Sequence, residues 1–211
     1  MPGEYSAKRL RLYLIRHAEV EGAASGRVYG RTDVPLSKKG IEQSRLLAGR
    51  LAAARLSALY SSDLSRAITT AEVIAAPHKL TVQTSSAWRE IDMGQWDGLS
   101  LTDLYQQDEE SIKRLFDHPE SFHYPDGESF AAFKRRIQEA LNELVMTHTN
   151  EEVALVTHGG VARAIIGTVL EMTMRTWLRL AQGYGCLNFI DWYDGQPLLH
   201  LLNFSTRGGW D

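Results

Sequence analysis

Arginine and histidine side chains follow three short apolar runs of the sequence, and together they have the chemistry of an anion site. Arg16 and His17 come directly after the first run, and His158 follows another run and precedes a Gly-Gly pair. Arg66 lies in the first turn of a helix predicted after a third run. Guanidinium groups match the oxygens of phosphate in a planar fork. These four residues therefore predict a pocket for a phosphate dianion.

The same residues have the chemistry needed to transfer a phosphoryl group. His17, as a neutral imidazole, can attack phosphorus as a nucleophile, and neighbouring cations favour that neutral form. Arg16, Arg66 and His158 can hold the three equatorial oxygens. The departing alkoxide needs a proton, for which Glu90 is the candidate general acid. This chemistry requires no metal ion. His17, His158 and Glu90 are also zinc-ligand types, but two adjacent arginines would repel a cation.

The predicted secondary structure explains how these distant residues meet. Strand patterns alternate with helical patterns, which indicates a mainly parallel, three-layer α/β/α sandwich. The carboxyl ends of parallel strands share one edge, where helix N-termini present free N–H groups. The turn at 193–196 predicts a closing hairpin, hence an antiparallel strand at the edge. We expect Ser37 to cap the first helix and Ser62 or Asp63 to cap the second.

Composition narrows the class of protein. A chain of 211 residues fits one domain, with or without an insertion, and its net charge of −3 includes no basic stripe for nucleic acid. No apolar run has the length of a membrane span. Residues 1–10 show no secretory signal, and the single cysteine, Cys186, fits a reducing compartment. We therefore expect a cytoplasmic protein that binds no membrane.

A segment at about 99–127 is predicted to be an insertion that covers the edge of the sheet as a lid. It contains the pattern of one or two short helices, followed by a loop with two prolines. Side chains on or near this segment, and in the loop after the first strand, are weak candidates for substrate selectivity. They are Tyr29, Arg31, Trp96, His123 and Glu128.

Six segments resemble a known family. LIRHAE resembles the Arg-His-Gly signature of the histidine phosphatase superfamily, which is also called phosphoglycerate mutase-like. GRTDVPLSKKG, YSSDLSRAITTAE, REIDMGQWDG, PDGESF and LVTHGG resemble its later blocks in the same order. The resemblance spans nearly the whole chain and implies one domain over 1–211, with a mostly parallel six-stranded sheet. It assigns the site to Arg16, His17, Arg66, Glu90 and His158, without a cofactor.

Three positions after the nucleophile depart from the family pattern. Ala18 stands where the family usually has Gly, Val20 where it has Ser or Thr, and Ala23 where it has a phosphate-binding Asn. One lost donor to a charged group costs roughly 1.5–3 kcal/mol, so we expect weaker turnover unless other groups replace it. Arg31, Ser25 and backbone N–H groups are the candidates to do so.

The resemblance favours a phosphatase that hydrolyses small phosphomonoesters through a phosphohistidine. The blocks look most like the α-ribazole phosphatase branch and the broad-specificity phosphatases, which suggests α-ribazole 5'-phosphate as a substrate. One alternative is a phosphoglycerate mutase that depends on 2,3-bisphosphoglycerate, although residues 99–103 carry no cation. Another is a phosphate- or phosphoprotein-binding module with little turnover, supported only by Val20 and Ala23. The oligomeric state stays open, a dimer included.

Overall fold

The computed structural model describes residues 9–205, which contain a six-stranded sheet. Residues 1–8, which belong to the stretch without a secretory signal, lie outside the described residues. The strands are β1 (Arg9–Arg16), β2 (Leu56–Ser62), β3 (Val82–Ser85), β4 (Glu151–Thr157), β5 (Leu187–Tyr193) and β6 (Gln196–Phe204). Their order is β3-β2-β4-β1-β5-β6. The first four pair in parallel, and β5 is antiparallel to both β1 and β6. The predicted mostly parallel sheet with an antiparallel edge is therefore confirmed.

Helices cover both faces of the sheet. They are α1 (Lys38–Leu51), α2 (Ser65–Ala75), α3 (Leu101–Gln107), α4 (Glu109–Asp117), α5 (Phe130–Thr147), α6 (Gly159–Val169) and α7 (Met174–Trp177). Successive strand residues point to opposite faces, so Leu14 packs with the α5 and α6 side and Ile15 with the α1 and α2 side. This is the expected three-layer arrangement. None of the helices within residues 9–205 has the length and apolarity to cross a membrane.

The N-termini of α1 and α2 are capped by side chains at different distances along the chain. Ser37 caps α1 as predicted, because its hydroxyl accepts a hydrogen bond from the Gly40 amide at 3.0 Å. The prediction of Ser62 or Asp63 as the cap of α2 is wrong. The acceptor for the Ser65 amide is Asp33, at 2.9 Å and 32 residues earlier in the chain. Asp63 instead forms an ion pair of 2.7 Å with Arg89.

The segment 99–127 contains α3 and α4, which confirms the prediction of one or two short helices. Its inner face is anchored in the core by Leu104, Ile112 and Leu115, which are buried. Its outer face carries Leu101 and Tyr105, which are about half exposed. The apolar inner face fixes this segment against the α5 side of the sheet.

Candidate active site

The ends of β1 and β4 bring the two candidate histidines together. Arg16 and Thr157 are paired in register at the end of these neighbouring parallel strands. The His17 amide then donates to the Thr157 carbonyl at 2.8 Å, which extends the pairing by one residue. As a result, the ring centroids of His17 and His158 lie 5.1 Å apart.

His17 is held in the form that a nucleophile needs. Its Nδ1 lies 2.8 Å from the Ala18 carbonyl oxygen, which can only accept, so Nδ1 carries the hydrogen. The lone pair is then on Nε2. The side chain is buried, and burial together with the charges of Arg16 and Arg66 lowers the pKa of His17 well below its ordinary value. The imidazole is therefore neutral at neutral pH.

Arg66 is held by the loop at residues 30–32, a contact that the sequence analysis did not predict. The side chain is 1 % exposed, and its Nη1 and Nη2 donate to the carbonyls of Thr32 and Gly30, at 2.7 Å each. The Asp97 carboxylate organises this loop, because it accepts from the amides of Gly30, Arg31 and Thr32 at 2.8–3.0 Å. The Nε of Arg66 is buried and has no partner within residues 9–205.

Arg16 is held by a segment near the end of the chain. Its Nη1 donates to the Gln182 carbonyl at 2.5 Å, and its guanidinium lies 3.9 Å from the centre of the Tyr184 ring. The Gln182 side chain is fixed in turn by two hydrogen bonds with Asn188, of 2.8 and 3.0 Å. The Tyr184 ring also lies 5.5 Å from the His17 ring. Sequence reasoning missed Gln182 and Tyr184, because nothing local marks a contact across 166 residues.

His158 completes a set of three buried nitrogens without partners, and its Nδ1 carries the ring hydrogen when the Ser62 hydroxyl donates to Nε2. Its Nε2 lies 2.8 Å from the Ser62 hydroxyl, while its Nδ1 is buried and unpartnered in the described part of the chain. Burial, the neighbouring His17 and the two arginines lower the pKa of His158 well below its ordinary value. A buried donor without a partner costs about 1–3 kcal/mol. An oxyanion at His17 would satisfy Nδ1 of His158 together with Nε of Arg16 and Arg66.

Glu90 lies at the first turn of α6. The side chain is buried, and its two oxygens accept hydrogen bonds from the amides of Gly160 at 2.8 Å and Ile91 at 3.0 Å. A β-carbon on Gly160 would overlap with Oε1 of Glu90. The absence of a side chain at Gly160 therefore makes room for this carboxylate beside His158.

Arg136 on α5 positions the segment before Glu90. Its Nη1 donates to the carbonyls of Ala87 and Arg89, at 2.8 and 3.0 Å. Glu128 holds Arg136 with two further hydrogen bonds of 2.8 and 3.1 Å. Glu128, a selectivity candidate from the sequence, is thus placed in an ion pair that supports this segment.

The other selectivity candidates occupy varied positions. Trp96 is buried, with its ring 5.3 Å from the Tyr124 ring, and His123 is exposed, with Nε2 3.0 Å from the Gly127 carbonyl. Tyr29 is half-buried and packs against the small apolar cluster below the loop after β1. Arg31 forms an ion pair of 3.2 Å with Asp92 and is 41 % exposed.

The departures from the family pattern form that apolar cluster. Val20 is 1 % exposed and packs with Ala18 and Leu36, and Ala23 is partly buried against them. The hydroxyl of Ser25, which the sequence offered as a replacement donor, is bonded to the Gly22 carbonyl at 2.7 Å. The side chains of this loop therefore pack or bond among themselves.

Metal ligation has no structural support in the described part of the chain. No group of three or more His, Cys, Asp or Glu side chains within residues 9–205 is arranged to hold a metal ion. The cations whose charges act on both His17 and His158 are Arg16 and Arg66, and Arg136 acts on His158 as well. The site is thus positively charged before any ligand binds, which suits an anion.

Comparison with known proteins agrees with this geometry. The family model of the histidine phosphatase superfamily (branch 1) matches residues 12–205. The chain belongs to the histidine phosphatase superfamily. This confirms the resemblance read from LIRHAE and the five later blocks, and the α/β sheet is the fold of its solved relatives.

Individual members of the superfamily that resemble the chain differ in activity. It is 33 % identical over 190 residues to the probable phosphoglycerate mutase GpmB of Proteus mirabilis, covering 90 % of this chain and 88 % of that protein. It is 33 % identical over 180 residues to phosphoserine phosphatase 1 of Hydrogenobacter thermophilus, covering 85 % and 83 %. The crystal structure of the alpha-ribazole phosphatase from Shigella flexneri matches with a TM-score of 0.84 at 27 % identity, covering 95 % and 100 %.

Proposed function

We propose that this protein is a phosphatase that hydrolyses small-molecule phosphomonoesters through a phosphohistidine on His17. The observation that carries the proposal is a set of three buried, unpartnered nitrogens: Nε of Arg16, Nε of Arg66 and Nδ1 of His158. They lie beside the neutral imidazole of His17, whose Nδ1 contacts the Ala18 carbonyl and whose Nε2 is left to attack. Three donors correspond to the three equatorial oxygens of a phosphoryl group in transfer.

The reaction proceeds in two displacements. Nε2 of His17 attacks phosphorus, the bond from phosphorus to the ester oxygen breaks, and Glu90 gives its proton to the departing alkoxide. Glu90 then takes a proton from water as the water attacks the phosphohistidine, and the nitrogen–phosphorus bond breaks to release phosphate. Arg16 and Arg66 neutralise the charge on the oxygens in both steps, and the neutral His158 donates a hydrogen bond to one of them. No step needs a metal ion or cofactor.

The relatives support two reactions of this site, and the segment 99–103 favours hydrolysis. A phosphoglycerate mutase activity is the second candidate because the relative from Proteus mirabilis carries that name. In this chain the segment after Gly98 holds Ser100 and Asp103 in a helix capping box, with Leu101 exposed. It offers no cation for a substrate carboxylate, so mutase chemistry would need one from elsewhere.

We further propose a substrate to test, a cellular location and a role for the segment 99–127. We take α-ribazole 5'-phosphate as one substrate to test, because the alpha-ribazole phosphatase from Shigella flexneri has the same fold over 95 % of this chain. We place the protein in the cytoplasm, in keeping with Cys186, which is buried as a free thiol. The segment 99–127 is proposed to act as a lid over the site.

A panel of phosphorylated metabolites tests the proposed function. Purified protein is assayed for phosphate release from p-nitrophenyl phosphate, α-ribazole 5'-phosphate, phosphoserine and the phosphoglycerates, with and without 2,3-bisphosphoglycerate. We expect phosphate release that does not depend on the bisphosphate. Interconversion of phosphoglycerates only with the bisphosphate would establish the mutase, and binding of phosphate without turnover would establish the binding module.

A further inference from the structure

Arg163 lies on α6 one turn after the glycine that holds Glu90. Side chains on a helix lean toward its N-terminus, so that of Arg163 extends over the turn of Gly159 and Gly160. These two residues have no side chains to block it, and the Gly160 amide holds the Glu90 carboxylate. Neither the proposed phosphoryl site nor the proton transfer uses Arg163.

One segment fixes both Arg163 and Arg16. Nε of Arg163 donates to the Leu180 carbonyl at 2.8 Å, and Nη1 of Arg16 donates to the carbonyl of Gln182, two residues later. Nη1 and Nη2 of Arg163 donate no hydrogen bond within residues 9–205, and neither is among the buried atoms that lack a partner. Both terminal nitrogens therefore contact solvent. The guanidinium is held only through Nε, and its two terminal N–H groups, here called the fork, are available to a ligand.

The position of the fork assigns it to the leaving group of the substrate. The phosphoryl oxygens already have three donors, and the proton from Glu90 goes to the ester oxygen. A guanidinium beside Glu90 consequently lies next to the group attached to that oxygen. The Tyr124 ring, also beside Glu90, is buried, and its hydroxyl stays protonated because burial raises the pKa of Tyr124.

A carboxylate is the group that fits this fork. Arginine binds carboxylates through two parallel N–H···O bonds, and a neutral hydroxyl or an ammonium group gains little or is repelled there. Arg163 is close enough to Glu90 for their charges to interact, so the carboxylate that fits this fork is one attached near the ester carbon. Long or bulky leaving groups without a carboxylate would leave the fork unpaired.

We infer that Arg163 is a specificity residue that binds a substrate carboxylate, so that the preferred substrates are phosphate esters of short hydroxy acids, including phosphorylated hydroxyl amino acids. This inference rests on the proposed phosphatase function and names its substrate class. Arg163 acts on the leaving group and adds nothing to binding of the phosphoryl group itself.

A matched pair of substrates tests the inference. O-phospho-L-serine and O-phosphoethanolamine have the same primary alkoxide leaving group and differ only in the carboxylate. We expect kcat/KM of the wild-type protein to be at least about tenfold higher for phosphoserine, since one charge-assisted pair is worth about 1.4 kcal/mol or more. In Arg163→Met this preference should disappear, mainly through KM for phosphoserine, while phosphoethanolamine and p-nitrophenyl phosphate change by less than about threefold. Arg179→Met, an exposed arginine before the same segment, is the matched control.

Two results would overturn the inference. Equal kcat/KM for the two substrates in the wild-type protein would show that no carboxylate is recognised, whether or not the variant folds. Equal loss for all substrates in Arg163→Met would show that Arg163 acts only through Glu90 or the segment at 180–182. Calorimetric binding of both compounds to His17→Ala keeps the question separate from turnover. A preference for phosphoserine there would support the inference even if hydrolysis failed, and its absence would overturn it.

Discussion

The carboxylate of Glu90 accepts a 2.8 Å hydrogen bond from the amide of Gly160, 70 residues further along the chain. This bond joins the candidate general acid to the helix that follows His158. A β-carbon at Gly160 would overlap with the Glu90 carboxylate, so the two positions depend on each other. The relationship explains chemically why the second residue after His158 has no side chain.

Gly160→Ala should therefore lower kcat without lowering stability. The methyl group displaces the Glu90 carboxylate, and a displacement of about 1 Å in a reacting group can reduce the rate about 100-fold. Alanine in place of glycine within a helix favours folding by roughly 0.5–1 kcal/mol, which opposes any strain. The matched control is Gly49→Ala in α1, where the added carbon meets no heavy atom within 4 Å. Full activity of Gly160→Ala would show that the position of Glu90 is not important.

Glu90→Gln should slow poor leaving groups more than good ones. The amide keeps the shape of the carboxyl group but cannot supply the proton, and general acid catalysis contributes about 10²–10⁴ in rate. Alkyl phosphates should lose most of that factor, whereas p-nitrophenyl phosphate should lose little because its leaving group is already stable. Asp92→Asn is the control. Equal slowing of both substrates by Glu90→Gln would assign the proton to another acid.

Asp97→Ala should weaken phosphate binding although Asp97 is one loop away from Arg66. The substitution removes the acceptor of three amide hydrogens, and the loop that carries the Gly30 and Thr32 carbonyls then holds Arg66 less firmly. We expect the inhibition constant of inorganic phosphate to rise about tenfold, which corresponds to the loss of one such interaction. Asp117→Ala, which removes an exposed ion pair, is the control. An unchanged inhibition constant would separate Asp97 from the site.

Acid should destabilise the protein through its two site histidines. The pKa values of His17 and His158 are lowered in the fold, so below pH about 6.5 the unfolded chain binds more protons than the folded protein. The free energy of unfolding therefore decreases as the pH is lowered below this value, by up to about 1.4 kcal/mol per pH unit for each histidine. We expect denaturant unfolding to show that the free energy of unfolding decreases more between pH 7.5 and 5.0 in the wild type than in His17→Gln. His118→Gln, at an exposed position, is the control and should match the wild type. An equal decrease in the free energy of unfolding of all three proteins would contradict the buried neutral state of His17.

The strand ends of the site could be predicted from the sequence because their signal is local. A buried apolar run that stops at Arg16 and His17, or at His158 before two glycines, marks a strand end with little ambiguity. Ser37 could be predicted as a cap for the same reason, since its acceptor and donor are three residues apart. The parallel order then follows from the alternation of strands and helices.

The supporting contacts could not be predicted because they join distant parts of the chain. Asp33 replaces Ser62 and Asp63 at the start of α2, and nothing in the sequence of that helix indicates it. Gln182 reaches Arg16 in the same way, through a backbone carbonyl that has no residue-type signal. The spacing of Arg163, one helical turn after Gly160 on a predicted helix, is visible in the sequence. It indicates a role only once the contact between Gly160 and Glu90 is known.

Detection of the phosphorylated enzyme tests the central claim most directly. The protein is mixed with a phosphomonoester labelled in the phosphoryl group, quenched within milliseconds in alkali, which preserves phosphohistidine, and digested for mass spectrometry. We predict a phosphoryl group on the His17 peptide of the wild type and of His118→Ala, and none in His17→Ala, which keeps its fold. Phosphate release by His17→Ala, or turnover of the wild type with no label on His17, would contradict the account.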